Sequence, residues 1–152
     1  SVPHPDNIYE FLNDAHELHK RGVGLAFAII DKQANRVAGS TRFMRSDSRN
    51  KRIEIGFTFL GKTWQRTHIN TETKLLMFSH AFENMGFNRV EFRADYLNSA
   101  SRRALLRLGA KEEGILRNHM VMPNGRVRDS VVYSVIRNEW PGVKQHLNSK
   151  LA

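Results

Sequence analysis

The sequence predicts one α/β domain in which a mixed β-sheet carries helices on its faces. Short segments that alternate apolar and polar residues, as strands do, are interleaved with longer segments whose apolar residues recur at helical spacing. Of the 152 residues 40% are hydrophobic, enough for a sizeable core, and no linker or repeat divides residues 1–152. We therefore expect a single domain with the element order α, β, β, β, α, β, α, β, β, α.

The N-terminal third predicts a helix followed by a β-hairpin. Apolar residues at helical spacing over 4–20 predict an amphipathic helix. The segments LAFAIID (25–31) and RVAGSTRFM (36–44) are rich in strand-forming residues and flank a short polar turn, which predicts an antiparallel pair. A polar loop, RSDSRNK (45–51), leads to the next strand.

The strand RIEIGFTFL (52–60) alternates along its length. A regular strand would separate its side chains into two sets, Ile53, Ile55, Phe57 and Phe59 on one face and Glu54, Gly56 and Thr58 on the other. If partly desolvated, Glu54 could be a general base with a raised pKa; otherwise it is a solvent-facing strand residue. Gly56 fits a β-bulge or the close approach of a ligand, and equally an ordinary weak point in the strand.

The remaining elements follow from helical spacing, alternation and turn residues. Gly86 and Gly109 suit the ends of two helices, and Pro-Asn-Gly is a hairpin signal. The predicted elements are a helix over 70–85, a strand over 88–95, a helix over 99–108, strands over 112–122 and 126–136, and a helix over 139–151.

The polar turn QRTHINT (65–71) precedes a helix and contains no glycine. The first turn of a helix exposes unpaired N–H groups and the positive end of the helix dipole, which together suit a phosphate. Arg66 can add charge, and Thr67, Asn70 and Thr71 can donate hydrogen bonds. The turn is therefore a candidate phosphate cradle, and the alternative is that Asn70 or Thr71 only caps the helix.

Asn98 and Ser101 form an N-x-x-S pattern at the start of the predicted helix 99–108. Capping alone would explain Asn98. Ser101, one turn into the helix, could instead face the strand ends as a hydrogen-bond donor.

The charge is strongly basic, with 24 Lys and Arg against 15 Asp and Glu and a formal net charge of +9. This excess favours an anionic partner such as nucleic acid, an acidic protein or a phosphorylated cofactor, although a solvated basic surface explains it equally well. The sequence lacks homeodomain, zinc-finger and RNP-type patterns, so we do not expect direct nucleic-acid binding.

Several classes of protein are excluded by missing residues and patterns. The absence of cysteine excludes disulfides and thiolate chemistry, and makes the cytoplasm the expected location. No apolar run approaches the length of a membrane span, and we expect neither a membrane segment nor a signal peptide. The seven histidines show no metal-site spacing with carboxylates, so we expect no metal. The G-x-S-x-G, G-x-G-x-x-G and Walker patterns are also absent.

From about residue 25 to its end, the chain resembles the GCN5-related N-acetyltransferase (GNAT) superfamily. Within that superfamily it is most similar to the RimJ/RimL-type ribosomal-protein N-terminal acetyltransferases. The resemblance includes RIEIGFTF at 52–59. Its most specific parts are N-x-x-S followed by L-G-A-x-x-E-G in 98–114, and R-D-x-V-V-Y-S followed by E-W in 128–140.

The resemblance implies a GNAT-like acyl-CoA N-acyltransferase fold whose strands 52–60 and 88–95 splay apart and hold acetyl-CoA, with the amine acceptor entering from the other side. It implies that Glu54 is the general base and that Asn98 and Ser101 lie near the CoA sulfur, Ser101 being the candidate general acid. The implied cofactor-binding residues are Phe57, Thr58, Phe59, Gln65, Arg66, Thr67, His68, Ile69, Asn70, Thr71, Asn98 and Arg103.

The phosphate turn departs from the usual family pattern, Gln/Arg-x-x-Gly-x-Gly/Ala. Aligned from Gln65, that pattern places His68 and Asn70 at the glycine and small-residue positions, and a subgroup of the family has a similar W-x-x-T-x-x-N-x-E-x-K stretch. Because a Cβ at position 68 restricts the left-handed conformation that glycine permits, we expect altered geometry or weaker cofactor binding.

The family's opening strand and helix are not recognisable before residue 4. We expect the sheet to lack this N-terminal strand, which would expose a sheet edge and part of the acceptor wall and would favour a homodimer.

The predicted function is acetyl transfer from acetyl-CoA to a primary amine, such as a protein N-terminus. The alternative is a non-catalytic CoA- or nucleic-acid-binding module with the same fold, which the net charge and the glycine-free turn favour. The identity of the acceptor is open among a ribosomal protein, a polyamine, an antibiotic and a free amino acid, because fold does not fix substrate.

Overall fold

The computed structural model describes residues 3–152, and its elements follow the expected order. Short 3-10 turns precede α1, α2 and α4, and a π-helical turn at His80–Asn84 continues α2. The helices are α1 (Ile8–Lys20), α2 (His68–Ser79), α3 (Ser99–Arg107) and α4 (Trp140–Leu151). The strands are β1 (Leu25–Asp31), β2 (Arg36–Asp47), β3 (Arg52–Leu60), β4 (Arg89–Asp95), β5 (Lys111–Val121) and β6 (Val127–Ile136).

The strands form one six-stranded sheet in the order β1-β2-β3-β4-β6-β5. Strand β3 pairs with β4 in parallel, and the other neighbouring strands pair antiparallel. Because β3 and β4 run in the same direction, helices α2 and α3, which follow them, both begin near the same edge of the sheet. The predicted mixed α/β sheet is confirmed.

The main core lies between one face of the sheet and helices α2, α3 and α4. Phe78 of α2 packs against Phe92 of β4 and Trp140 of α4, with ring centroids 5.7 and 5.5 Å away. Helix α1 lies on the opposite face, where Phe11 packs against Phe57 and Phe59 of β3. We refer to these as the core face and the α1 face of the sheet.

The alternation predicted for β3 is wrong beyond Gly56. Ile53 and Ile55 are in the main core, but Phe57 and Phe59 contact α1 on the other face. The register against β2 shifts by one residue here, and Phe57 has a φ of +49°, which marks a β-bulge. The extra residue reverses the facing of every later side chain, and so Thr58 lies on the core face.

Gly56, which was expected at a bulge or at the close approach of a ligand, precedes the bulge and has no positive φ. A Cβ at Gly56 would lie 2.8 Å from Sδ of Met44. The close approach at this glycine therefore comes from a neighbouring strand of the protein itself.

Several element boundaries differ from the sequence prediction, and two of them lie near the candidate site. Strand β2 continues through Asp47, so the expected loop 45–51 begins as strand, with Arg45 at a φ of +51°. Helix α2 begins at His68, two residues earlier than expected, because Thr67 caps it. The amphipathic spacing located the body of α2 but not its capped start.

Within the described range 3–152, no helix is long and apolar enough to cross a membrane. The same residues include no group of three or more His, Cys, Asp or Glu placed to hold a metal ion.

Candidate active site

The two parallel central strands separate partway along their length. Strands β3 and β4 pair only at Arg52–Arg89, Ile53–Val90 and Glu54–Glu91. Beyond these pairs each strand continues without pairing to the other, which opens a gap that we call the strand cleft. On the side of β3 that faces this cleft, the backbone N–H and C=O groups lack a strand partner and can bind a ligand.

Glu54 lies at the last paired position before the strand cleft and is buried. Its Oε2 accepts a hydrogen bond from Nη1 of Arg45 at 2.5 Å and lies 3.8 Å from Nε of Arg93. Burial raises the pKa of Glu54 above its usual value, and the two arginines only partly oppose this shift. A carboxylate with a raised pKa, beside an opening in the sheet, is suited to general-base chemistry.

A polar network surrounds Glu54 on the α1 face. Arg93 Nε donates to Glu91 at 2.9 Å, and its Nη1 lies 3.4 Å from Nε2 of His119. His119 Nδ1 lies 2.8 Å from Oγ of Ser130. Burial and three surrounding arginines lower the pKa of His119, which keeps its ring neutral near pH 7. Sequence reasoning missed these partners because they come from β4, β5 and β6.

The turn 65–71 has its left-handed residue at Arg66, whose φ is +60°, and not at His68. Gln65 Nε2 donates to the Leu60 carbonyl at 3.0 Å, which fixes the chain before the turn. His68 is the first residue of α2, where an ordinary side chain fits without strain. Position 68 therefore needs no left-handed conformation, and the left-handed residue lies two residues earlier. The expected altered or weaker cofactor binding stays a prediction.

Thr67, and not Asn70 or Thr71, caps α2. Its hydroxyl accepts from the Ile69 N–H at 3.3 Å and donates to the Trp64 carbonyl at 2.6 Å. The N–H groups of the other first-turn residues have no acceptor within the helix and remain suited to an anion. The side chain of Ile69 packs in a small cluster with Ile29 and Ala38, so this side chain is not available to a ligand.

On the core face, Thr58 links β3 to the neighbouring strand β2 and to helix α2. Its hydroxyl lies 2.8 Å from that of Thr41 on β2, and it accepts a hydrogen bond from Nζ of Lys74 on α2 at 3.1 Å. Lys74 Nζ also donates to Oδ1 of Asn70 at 3.3 Å. Phe57 and Phe59 lie on the other face with Phe11, so of the three predicted residues Thr58 is the one that joins α2.

Sequence reasoning missed Lys74, although its spacing contained a signal. It lies four residues after Asn70 and four before Phe78, on the side of α2 that the helical period turns toward the sheet. The structure leaves only 3% of its surface exposed. Burial lowers its pKa to about 8.

Asn98 caps α3, because its Oδ1 accepts a hydrogen bond from the Ser101 N–H at 3.1 Å. The capping explanation for Asn98 is therefore confirmed, and it leaves the Nδ2 group of Asn98 able to donate elsewhere. Ser101 is half-buried in the first turn of the same helix. Arg103 is exposed on α3, beside a shallow depression that Ser99 and Leu106 help to line.

A sequence model of the acetyltransferase (GNAT) domain matches residues 2–111, which is more than half of the chain. The chain belongs to the GNAT acetyltransferase family. Members of this family take the acetyl group from acetyl-CoA, so this is a domain of the acetyl-CoA-dependent acetyltransferase class. The GNAT resemblance read from the sequence is confirmed.

Individual GNAT relatives agree with this assignment. YdaF of Bacillus subtilis, provisionally named a ribosomal N-acetyltransferase, is 35% identical over 64% of this chain and 52% of its own. A GCN5-related N-acetyltransferase from Brucella melitensis is 39% identical, with a TM-score of 0.86 over 95% of this chain and 65% of that one. The GNAT domain described here thus spans between half and two thirds of these relatives.

Mycobacterium smegmatis RimJ, solved with CoA-disulfide, has the same fold with a TM-score of 0.80 at 19% identity, over 95% of this chain and 68% of that one. At this identity the neighbour shows the shared fold, and the name of YdaF is consistent with the RimJ/RimL-type resemblance.

Proposed function

We propose that this GNAT domain transfers acetyl from acetyl-CoA to a primary amine, and that the favoured acceptor is a protein N-terminus. The observation that carries the proposal is the position of Glu54, buried at the point where β3 and β4 separate. The provisional ribosomal name of YdaF supports the choice of acceptor. Because the chain spans only part of its relatives, the substrates and partners of the whole protein belong to this proposal.

Glu54 is proposed as the general base. An amine is protonated near pH 7 and must lose a proton before it can act as a nucleophile. A carboxylate whose pKa is raised by burial is a better proton acceptor than an exposed one. Arg45 donates a hydrogen bond to its Oε2, and Arg93 lies 3.8 Å from the same oxygen.

The residues proposed to hold acetyl-CoA lie along the strand cleft and at the start of α2. When bound, acetyl-CoA supplies an acetyl group activated as a thioester. The cleft-facing N–H groups of β3 at Phe57–Phe59 can donate to its carbonyl oxygen and to the pantetheine arm. The unpaired N–H groups of the turn Gln65–Thr71 fit a pyrophosphate, and Arg103 can add charge. Residues present in the structure therefore fit the cosubstrate.

Asn98 and Ser101 are proposed to lie beside the sulfur of the thioester. Capping occupies Oδ1 of Asn98 and leaves its Nδ2 to donate. The Ser101 hydroxyl can supply a proton to the departing thiolate. These roles follow from the resemblance and are supported by the position of both residues at the edge of the sheet to which the strand cleft opens.

The test is a Glu54→Gln variant with Glu10→Gln, an exposed residue of α1, as the matched control. Turnover is followed by a thiol reagent that detects released CoA, and the absence of cysteine removes any background from the protein. We expect kcat/KM with ribosomal-protein N-terminal peptides to fall by about a hundredfold or more in Glu54→Gln and to stay unchanged in the control. Unchanged turnover in Glu54→Gln would remove Glu54 as the base.

The same experiment separates the alternative, a CoA- or nucleic-acid-binding module without activity. Such a module would bind acetyl-CoA or RNA but release no CoA with any amine, and RNA binding would weaken steeply with salt. A homodimer and a cytoplasmic location stay predictions, which sedimentation and fractionation of the whole protein would check.

A further inference from the structure

Lys74 is a buried cation whose hydrogen-bonding partners are all neutral. Its ammonium donates to Oγ1 of Thr58 at 3.1 Å and to Oδ1 of Asn70 at 3.3 Å. The Thr58 hydroxyl in turn lies within hydrogen-bond distance of the Thr41 hydroxyl. These groups, from α2, β3 and β2, do not titrate near neutral pH. Among the described residues Lys74 forms no ion pair. Burial alone, without any charged neighbour, accounts for its lowered pKa.

Such an arrangement is unfavourable in the free protein. Removing an ammonium from water costs free energy that an ion pair would partly offset and that neutral acceptors offset poorly. A methionine would fill similar space without this penalty. A buried charge that lacks a counter-ion is therefore a candidate for a functional group whose counter-ion is a ligand.

The position of Lys74 indicates which ligand that would be. Long helical side chains lean toward the helix N-terminus, and contact with Asn70 brings Nζ to the level of the first turn of α2. On its other side Nζ contacts Thr58, on the part of β3 that has left β4. The ammonium thus lies between the first turn of α2 and the unpaired part of β3, the two segments that are proposed to hold acetyl-CoA.

Lys74 also orients Asn70. An ammonium has only donors, so the carbonyl oxygen of the Asn70 amide must face it. The two N–H donors of that amide are then directed away from Lys74. An anion at the first turn of α2 would receive these donors in addition to the backbone N–H groups.

We propose that Lys74 is a positioning residue for the pyrophosphate of acetyl-CoA, which it holds through Asn70 and through its own buried positive charge. This inference rests on the proposed function, since it needs the pyrophosphate at the turn 65–71. It also explains how a turn without glycine binds the phosphates, because a charge behind the turn strengthens its attraction for an anion. At short range and low dielectric, one such charge changes an anion's affinity by about tenfold or more.

The experiment is calorimetric titration of the wild type and Lys74→Met with acetyl-CoA and with acetyl-pantetheine, which lacks the pyrophosphate. Lys32→Met, in the exposed turn between β1 and β2, removes the same charge elsewhere and is the matched control. We expect Lys74→Met to bind acetyl-CoA about tenfold more weakly near pH 7 and acetyl-pantetheine within about twofold of wild type. Lys32→Met should bind both ligands normally.

A second measurement uses only the wild type and does not depend on how the variant folds. An anion near Lys74 raises its pKa from about 8, so binding should take up a proton above that pH, and affinity should fall as pH rises further. Titrations in buffers with different ionisation heats measure this uptake.

The outcomes separate the two proposals. If the wild type binds acetyl-CoA without proton uptake, or if Lys74→Met loses both ligands equally, Lys74 is only a structural link and the present inference fails alone. If the folded wild type binds no acetyl-CoA, the proposed function fails and this inference fails with it.

Discussion

Replacing Lys74 with methionine should stabilise the free protein, although it weakens ligand binding. In the folded state burial lowers the pKa of Lys74 from 10.5 to about 8. At 1.36 kcal/mol per pH unit, holding the buried ammonium charged costs about 3 kcal/mol at neutral pH. Losing the hydrogen bonds to Thr58 and Asn70 removes part of the gain, so we expect the free energy of unfolding to rise by about 1–2 kcal/mol.

The pH dependence of this gain distinguishes charge burial from packing. Below pH 8 Lys74 is charged in both the folded and the unfolded state, and the full cost is present. Between about pH 8 and 10.5 the folded state has lost the proton that the unfolded state keeps, so the wild type gains stability as pH rises. Above that range both states are neutral and the cost of burying the charge is gone. Only the lost hydrogen bonds and the changed packing then separate wild type from Lys74→Met.

Urea denaturation followed by circular dichroism at several pH values between about 7 and 10.5 measures the effect. Subtracting the wild-type curve from that of Lys74→Met cancels all other titrating groups. The exposed control Lys32→Met should stay within about 0.5 kcal/mol of wild type throughout. A variant that is less stable at every pH, or a difference that does not change with pH, would refute the buried-charge reasoning.

Three further substitutions test the site. Arg45→Ala removes the hydrogen bond and the charge that lower the pKa of Glu54. The acid limb of the pH profile of kcat/KM should therefore move to higher pH. An unmoved limb would contradict the influence of Arg45 on the pKa of Glu54. Asn98→Ala removes the cap on the Ser101 N–H and should lower the free energy of unfolding by about 1 kcal/mol in urea, where Asn98→Asp should not. Arg66→Gly relieves the backbone strain of a left-handed residue and should raise the free energy of unfolding by about 1 kcal/mol or less. An equally large gain in Arg66→Ala would argue against strain as the cause.

Local patterns in the sequence were sufficient for the elements and their order. Alternation located β3, and helical spacing located the body of α2, because both depend on which side chains can be buried together along a short segment. The start of α2 was misplaced because Asn70 and Thr71 were the expected caps, whereas Thr67, a residue of the same capping type, caps the helix. Only the hydrogen bonds made by Thr67 choose among them.

The candidate site was predictable in part. Glu54, Asn98 and the turn 65–71 were identified from residue type, position and family resemblance, and the cap at Asn98 is a local interaction that its own segment specifies. The bulge at Phe57 was not predictable, since it arises from the register of β3 against β2. For the same reason the facing of Phe57 and Phe59 could not be read from alternation alone.

The sequence by itself determined the fold class, the order of the elements and the family, because each depends on local periodicity and short motifs. Tertiary structure alone decided that Glu54 is buried beside arginines from β2 and β4. It also decided that Lys74 is enclosed without a counter-ion among residues 3–152. Burial and electrostatic environment come from residues far apart in the chain, whose contacts exist only when the strands and helices are assembled. The chemistry of a carboxylate or an ammonium depends on that assembled environment, so a residue's type and position suggest a role that only the folded protein can test.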